Sequence, residues 1–260
     1  MIKFSIITVT YNVEEDFLLT AESMMIQEYP NVEHLIIDGA SQDGTVSVAE
    51  DYKRRSKEEG NEHEITIISE PDKGIYDAMN KGLQLATGDY VLFLNAGDLL
   101  PYKDTLSQIA QMAEMSGDGN TPAVFYGDTY VVDEDGRMMY RRRLSPPERL
   151  TWKSFRHGML VCHQAFYARA DIAKKLPYNL KYRYSSDVDW CIRVMKEAQR
   201  QHLALKNLNR VAVHYMYKGM TTKHHKESLV ERFRIMCHHY GYVSTVVMHV
   251  WFAIRSLIRH

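Results

Sequence analysis

Cysteine is scarce in this chain. Cys162, Cys191 and Cys237 are the only three in 260 residues. Far apart and odd in number, they build neither a disulfide framework nor a Cys-x-x-Cys zinc site, and reduced, part-buried thiols of a cytoplasmic protein are the expectation. Long apolar runs are missing too: no segment reaches the roughly 18 consecutive apolar residues of a membrane span. The start, Met1 to Tyr11, has one Lys ahead of a β-branched stretch and lacks the apolar core and cleavage site of a signal peptide. Net charge is nearly absent, with 32 Lys and Arg against 33 Asp and Glu, so nothing draws the molecule toward nucleic acid. There is neither an internal repeat nor a low-complexity tract. What is present, 45% hydrophobic, 25% charged and 11% aromatic residues, suffices for one large domain or two small ones and argues against disorder.

Ser5 to Thr10 is a β-branched run, apolar or hydroxylic on both faces, the pattern of a strand buried in a parallel sheet. Helical spacing follows over Glu14 to Ile26. The alternation then repeats, with strands at His34 to Ile37, Ile65 to Ile68 and Tyr90 to Leu94, and helices at Thr45 to Lys57 and Ile75 to Ala86. This predicts an α/β fold, a doubly wound sheet layered with helices. Beyond Pro101 the pattern is mixed. It reads as a helix over Thr105 to Met115, a turn from Gly117 to Asn120, a strand at Ala123 to Tyr126 and a hairpin over Val131 to Arg141 around Asp135-Gly136. Arg141 to Pro147 reads as a surface connector, Asp187 to Ala198 as a helix, and Leu203 to Leu205 and Val211 to His214 as short strands. From about Glu227 two helices follow, broken near Gly241.

In such a sheet ligands bind outside the carboxyl ends of the strands, so the polar sets that follow the apolar runs should line one edge. No Gly-x-Gly-x-x-Gly follows the first strand, which argues against a nicotinamide dehydrogenase. Thr10-Tyr11-Asn12 stands there instead. Asp38 can accept from a ribose hydroxyl or a base imide, or make an Asx-turn with Gly39; Asp43 reads as a turn or cap residue. Asp72-Lys73-Gly74, with Asn80-Lys81-Gly82 beyond, sets cations and a helix N-terminus where a diphosphate is favoured; the plainer reading has Asp72 capping the helix and both lysines solvated. Asn95-Ala96-Gly97-Asp98 offers hard oxygen ligands to Mg²⁺ or Mn²⁺, or a polar turn with Gly97 left-handed. Asp187 and Asp189 open a helix, either as a general base for a hydroxyl or as charges serving only the macrodipole.

The joint order of Ser-Ile-Ile-Thr-Val-Thr-Tyr-Asn, Ile-Ile-Asp-Gly-Ala-Ser-Gln-Asp-Gly-Thr, Asp-Lys-Gly-Ile-Tyr-Asp-Ala-Met-Asn-Lys-Gly, Gly-Asp-Tyr-Val-Leu-Phe-Leu-Asn-Ala-Gly-Asp and Ser-Asp-Val-Asp-Trp resembles glycosyltransferase family 2. These are inverting enzymes of the GT-A fold, and the likeness is to bacterial members that build capsular, colanic-acid-like or O-antigen polysaccharide. It covers roughly residues 3 to 220. The resemblance implies a GT-A catalytic domain over 1–220, whose 1–100 half binds a nucleotide-sugar and whose 101–220 half binds the acceptor, with a helical extension over 221–260. It implies that Thr10, Tyr11 and Asn12 flank the base and Asp38 binds the nucleoside, usually uridine. Asp72, Lys73 and Gly74 would lie under ribose and diphosphate with the Asn80-Lys81-Gly82 turn. Asn95, Ala96, Gly97 and Asp98 occupy the place of the Asp-x-Asp metal motif, but only Asp98 remains anionic there. Asp187 matches the catalytic base. His163 and Gln164, with Trp190, would face the acceptor and sugar pocket, and His214 would add a metal ligand; a satisfied structural histidine is the alternative for both imidazoles.

The expected partners are a UDP-sugar-like donor and a glycan or lipid-linked glycan, with a divalent cation as cofactor. Two rivals stand beside this reading. A sugar nucleotidyltransferase shares the architecture but normally has a Gly-rich basic loop where Asn12 to Asp16 is acidic, and the depleted metal motif also suits a non-catalytic assembly subunit. In the tail, Val246, Val247, Val250, Trp251, Ile254, Leu257 and Ile258 recur at helical spacing near Arg255 and Arg259. That helix packs on the domain or on another subunit of a homo-oligomer, or lies in the interface at the inner face of the cell membrane.

Overall fold

The computed structural model describes residues 1–117, 121–217 and 224–258. Its first half alternates strictly: β1 (Phe4–Thr10), α1 (Glu14–Met25), β2 (Val32–Asp38), α2 (Thr45–Glu58), β3 (Glu64–Ser69), α3 (Ile75–Leu85), β4 (Tyr90–Phe93) and α4 (Thr105–Glu114). Then come β5 (Val124–Val132), β6 (Met138–Arg141), 3-10 turns at Trp152–His157 and His163–Ala165, β7 (Phe166–Arg169), the short α5 (Ala170–Ala173), α6 (Ser186–Arg200), β8 (Leu205–Met216), α7 (His225–Tyr240) and α8 (Tyr242–Ile258). The sheet runs β3-β2-β1-β4-β7-β5-β6, with β8 also paired to β5. β1 to β4 are parallel, and β7 is antiparallel to both β4 and β5.

Every residue of β1, β2 and β4 is buried, which is why these strands read as unbroken apolar runs rather than alternations. Register aligns Thr10, Asp38 and Ser69 across three strands, so the strand ends form one rim. Helix α3 lies close on that sheet because Gly82 has no side chain: a Cβ there would stand 2.5 Å from Ile7 Cγ2 and 3.2 Å from Ile37 Cγ1. Residues 80–82 are therefore mid-helix, not the turn the sequence suggests.

Two expectations change in the second half. The two short strands at 203–205 and 211–214 are one strand, β8, whose register shifts beside Asp128 and whose Asn209 takes φ 52°. Strand β7 is only four residues long and follows a tight turn, too short to display a period. The expected turn at 117–120 lies mostly outside the described residues. The three cysteines are free, two of them buried.

The C-terminal helices are tied to α6 and the chain that enters it. Ser228, Glu231, Ile235 and His239, spaced three or four apart on α7, form one face. Ser228 Oγ pairs with Ser185 Oγ at 2.9 Å, and His239 Nε2 donates to Asp189 Oδ1 at 2.8 Å. Glu231 accepts the amides of Arg183, Tyr184 and Ser185 at 2.8, 2.8 and 3.0 Å. Thus α7 clasps the chain entering α6. No helix among the described residues is long and apolar enough to cross a membrane.

Candidate active site

At the end of β2, Asp38 is almost wholly buried. Its carboxylate accepts from Thr10 Oγ1 (2.9 Å), Ser41 Oγ (2.5 Å), Ser41 N (2.9 Å) and Ser69 Oγ (2.7 Å), which fills about four acceptor sites. Burial pushes the carboxyl up, but these donors outweigh it and hold it below its ordinary value. Asp38 thereby ties the ends of β1, β2 and β3 together, and it does so through Ser41 as well as through its own turn. Tyr11 is 62% exposed, while Asn12, at φ 52°, spends its side-chain oxygen on Gln42 N.

The loop after β3 returns to the same place. A Cβ on Gly39 would stand 2.6 Å from Asp72 Oδ2 and 3.3 Å from Tyr11 Cδ2, so Tyr11, Gly39 and Asp72 meet at the rim. Asp72 Oδ1 also accepts Gly74 N at 2.6 Å, and Asp77 holds the Lys73 amide. The Lys73 side chain is exposed. Lys81 is spent elsewhere: its Nζ donates to Pro71 O and pairs with Glu70, each at 2.8 Å. Asn80 clasps the main chain of Tyr178 at both ends of its amide, at 3.0 and 2.7 Å. Both residues brace α3 and its entry loop instead of opening to the rim, which corrects the diphosphate role expected for them.

Four residues beyond Asp72, Tyr76 donates its hydroxyl to Asp187 Oδ1 at 3.0 Å. Asp187 sits in the first turn of α6 with its side chain 13% exposed, and its Oδ2 lies 3.3 Å from His163 Nδ1. His163 Nε2 in turn lies 3.3 Å from Asn95 Nδ2. The carboxylate can only accept, so His163 Nδ1 donates to it. Burial pushes Asp187 up; the His163 hydrogen bond and charge, the charge of Arg232 and the Tyr76 hydroxyl together outweigh it and leave the carboxyl below its ordinary value. Burial also drives Tyr76 well up, so it stays a donor. Each Asp187 oxygen keeps a lone pair for a further proton.

The turn after β4 is stapled from α1: Thr20 Oγ1 donates to Asp98 O and accepts Gly97 N, both at 2.9 Å. Gly97 has φ 89°, and a Cβ there would meet Met216 Sδ at 2.6 Å. Asp98 is buried, its oxygens accepting Met216 N and Gln164 Nε2 at 3.0 Å each. Burial pushes its carboxyl up to about 7.

Among the described residues no three His, Cys, Asp or Glu side chains gather as a metal site. An ion riding on substrate phosphates needs only one or two protein oxygens, however. Asn95 Oδ1 is a buried acceptor without a partner among the described residues, and Asp98 supplies a carboxylate three residues on, so these two fit a divalent cation. The main chain of His214 bridges Leu99, next to Asp98, and its ring stands 6.2 Å from Tyr130. Trp190 departs from expectation. It is fully buried among Phe93, Phe166 and Tyr178, a core residue that no acceptor touches.

Sequence reasoning missed Tyr76 and Arg232. Tyr76 lies inside the Asp-Lys-Gly-Ile-Tyr motif, where helical spacing from Asp72 was the available signal. Arg232 comes from α7, and its Nε is buried with no partner among the described residues; nothing local in the sequence marks it.

The glycosyl transferase family 2 model matches residues 5–176. The chain is 35% identical over 191 residues to a PGL/p-HBAD biosynthesis glycosyltransferase of Mycobacterium bovis, covering 73% of this chain and 68% of that one. It is 30% identical over 201 residues to the amylovoran biosynthesis glycosyltransferase AmsB of Erwinia amylovora, covering 75% and 64%. Its fold is similar to S. aureus TarS 1-349 in complex with UDP-GlcNAc, with TM-score 0.67, 18% identity and coverage of 84% and 59%. It is also similar to Mycobacterium tuberculosis glucosyl-3-phosphoglycerate synthase bound to Mn²⁺, UDP and glucosyl-3-phosphoglycerate, with TM-score 0.59, 14% identity and coverage of 90% and 79%. The chain belongs to glycosyl transferase family 2, as a glycosyltransferase of GT-A fold.

Proposed function

We propose that the enzyme moves a sugar, with inversion, from a UDP-sugar to a hydroxyl of a glycan or lipid-linked glycan in the synthesis of a bacterial surface polysaccharide. The observation that carries this is Asp187, a carboxylate held ionised by His163, Tyr76 and Arg232 and reached by four residues of chain from Asp72 at the strand-end rim. The acceptor oxygen attacks the anomeric carbon while Asp187 takes its proton, and the bond to the diphosphate oxygen breaks with its electron pair leaving on the diphosphate. Tyr11, Gly39 and Asp72 form the nucleoside side. Arg232, with an unspent Nε–H, offers charge to the departing diphosphate. Asn95 and Asp98 would hold the divalent cation, which neutralises phosphate charge when bound. The UDP complexes of similar folds and the polysaccharide role named for AmsB support the donor and product classes.

Asp187→Asn tests the reading. It keeps the Tyr76 contact and removes the base, so transfer should fall by about a thousandfold or more, while the thermal shift given by UDP with Mn²⁺ stays within a degree of the parent. A variant that still transfers would dismiss Asp187 as base.

A further inference from the structure

Helix α8 is built inside out. Val243, Val247, Val250, Trp251 and Ile254 recur at helical spacing and are 43% to 76% exposed, so a whole apolar face looks into solvent. Two of its hydrogen-bonding residues, Thr245 and His249, lie on the less exposed side instead. Thr245 is fully buried and donates to Gly241 O at 2.9 Å. His249 is part-buried, donates from Nδ1 to Thr245 O at 2.9 Å, and has its ring 5.0 Å from Phe233. A surface helix in water shows the opposite arrangement. Charge identifies what covers this face. From residue 232 to 260 the sequence contains no Asp or Glu, while it carries Arg234, Arg255 and Arg259 beside the site's Arg232, and Arg234 is exposed on α7. A second copy docking here would set like charges against each other. An anionic surface with an apolar interior meets both features, and an exposed Trp suits the headgroup boundary.

We infer that α8 lies in the interface of a bilayer containing anionic phospholipid, apolar face down, so that α7, which clasps the α6 entry, holds the helix of Asp187 beside the membrane surface. This does not rest on the acceptor proposed above. The test sediments the full chain with vesicles of phosphatidylglycerol and phosphatidylcholine, or of phosphatidylcholine alone. Binding should require phosphatidylglycerol, weaken with salt, and fall by about tenfold or more in Val247→Glu/Val250→Glu/Trp251→Glu, with melting and transfer to a water-soluble acceptor unchanged. Brominated acyl chains should quench the parent's tryptophan emission, and Trp251→Phe should remove most of that quenching, since Trp190 is buried and Trp152 is half-buried with its ring stacked on Tyr240. Three results overturn the inference: no sedimentation with either vesicle, equal sedimentation of the triple variant, or a parent dimer that the triple variant splits without any vesicle binding.

Discussion

Asp187 keeps its charge against burial only because its neighbours outvote the desolvation, and His163 is the strongest of them. Removing the imidazole leaves burial to dominate, so the carboxyl must rise. A base works only when ionised, and the acid limb of the transfer rate should therefore move to higher pH in His163→Ala, by about one unit or more. A pH profile of kcat/KM for parent and variant reads this directly. If the limb does not move, His163 plays no part in holding the base. At this scale the sequence marked Asp38, Asp72, Asp98 and Asp187, because carboxylates directly after strands or at a helix start stand out in one dimension. It did not separate rim residues from braces. Asn80 and Lys81 sit in a motif that suits phosphate, yet Tyr178 and the Glu70–Pro71 loop take their hydrogen bonds, and those partners are up to 98 residues away. Trp190 follows Asp187 by three residues, close to the same helix face, yet it is filled into the core by Phe93, Phe166 and Tyr178 while Asp187 pairs with His163 and Tyr76.

Helix α7 lies, like α6, beyond the matched family region and packs against the candidate site. Glu231 gathers three successive amides ahead of α6, and the charge of Arg232 beside it helps to hold the Asp187 carboxyl down. Losing a carboxylate that satisfies several amides costs about 1–3 kcal/mol, felt at the loop that aims Asp187. Glu231→Ala should thus lower kcat more than it raises the donor KM. Arg232→Ala should do the reverse, weakening UDP binding about tenfold, with Arg232→Lys recovering part of it. Steady-state kinetics on the three variants separates aiming from binding, and equal effects on kcat and KM throughout would remove the distinction. The alternating elements of the first half were readable because buried parallel strands and amphipathic helices have different periods. The docking of α7 was not, since Ser228, Glu231 and His239 find partners more than 40 residues back, and helical spacing says which residues share a face but not what that face meets.

Over the whole molecule, two buried groups pull stability in opposite directions with pH. His34 is fully buried between Thr8 Oγ1 and Tyr52 OH, and desolvation lowers its pKa to about 3. An unfolded histidine protonates near 6.5, so its stability contribution is whole above that pH and declines as pH falls, by about 2 kcal/mol from 6.5 to 5. His63, His214 and His239 are lowered by burial in the same sense. Asp98 is the reverse case. Its folded pKa near 7 lies above the unfolded carboxyl, so ionisation penalises the fold, and stability rises as pH falls from about 7 toward 4. The two effects offset each other across the neutral-to-mildly-acid range, and the parent's urea stability should change little between pH 7 and 5. Asp98→Asn puts a neutral amide between Gln164 and Met216 and removes the second effect alone. That variant should match or exceed the parent at pH 7.5, then lose about 2 kcal/mol or more by pH 5, as the buried histidines act unopposed. Parallel curves for the two proteins would mean that Asp98 is ionised in the fold throughout, and that the carboxylate waits charged for its cation.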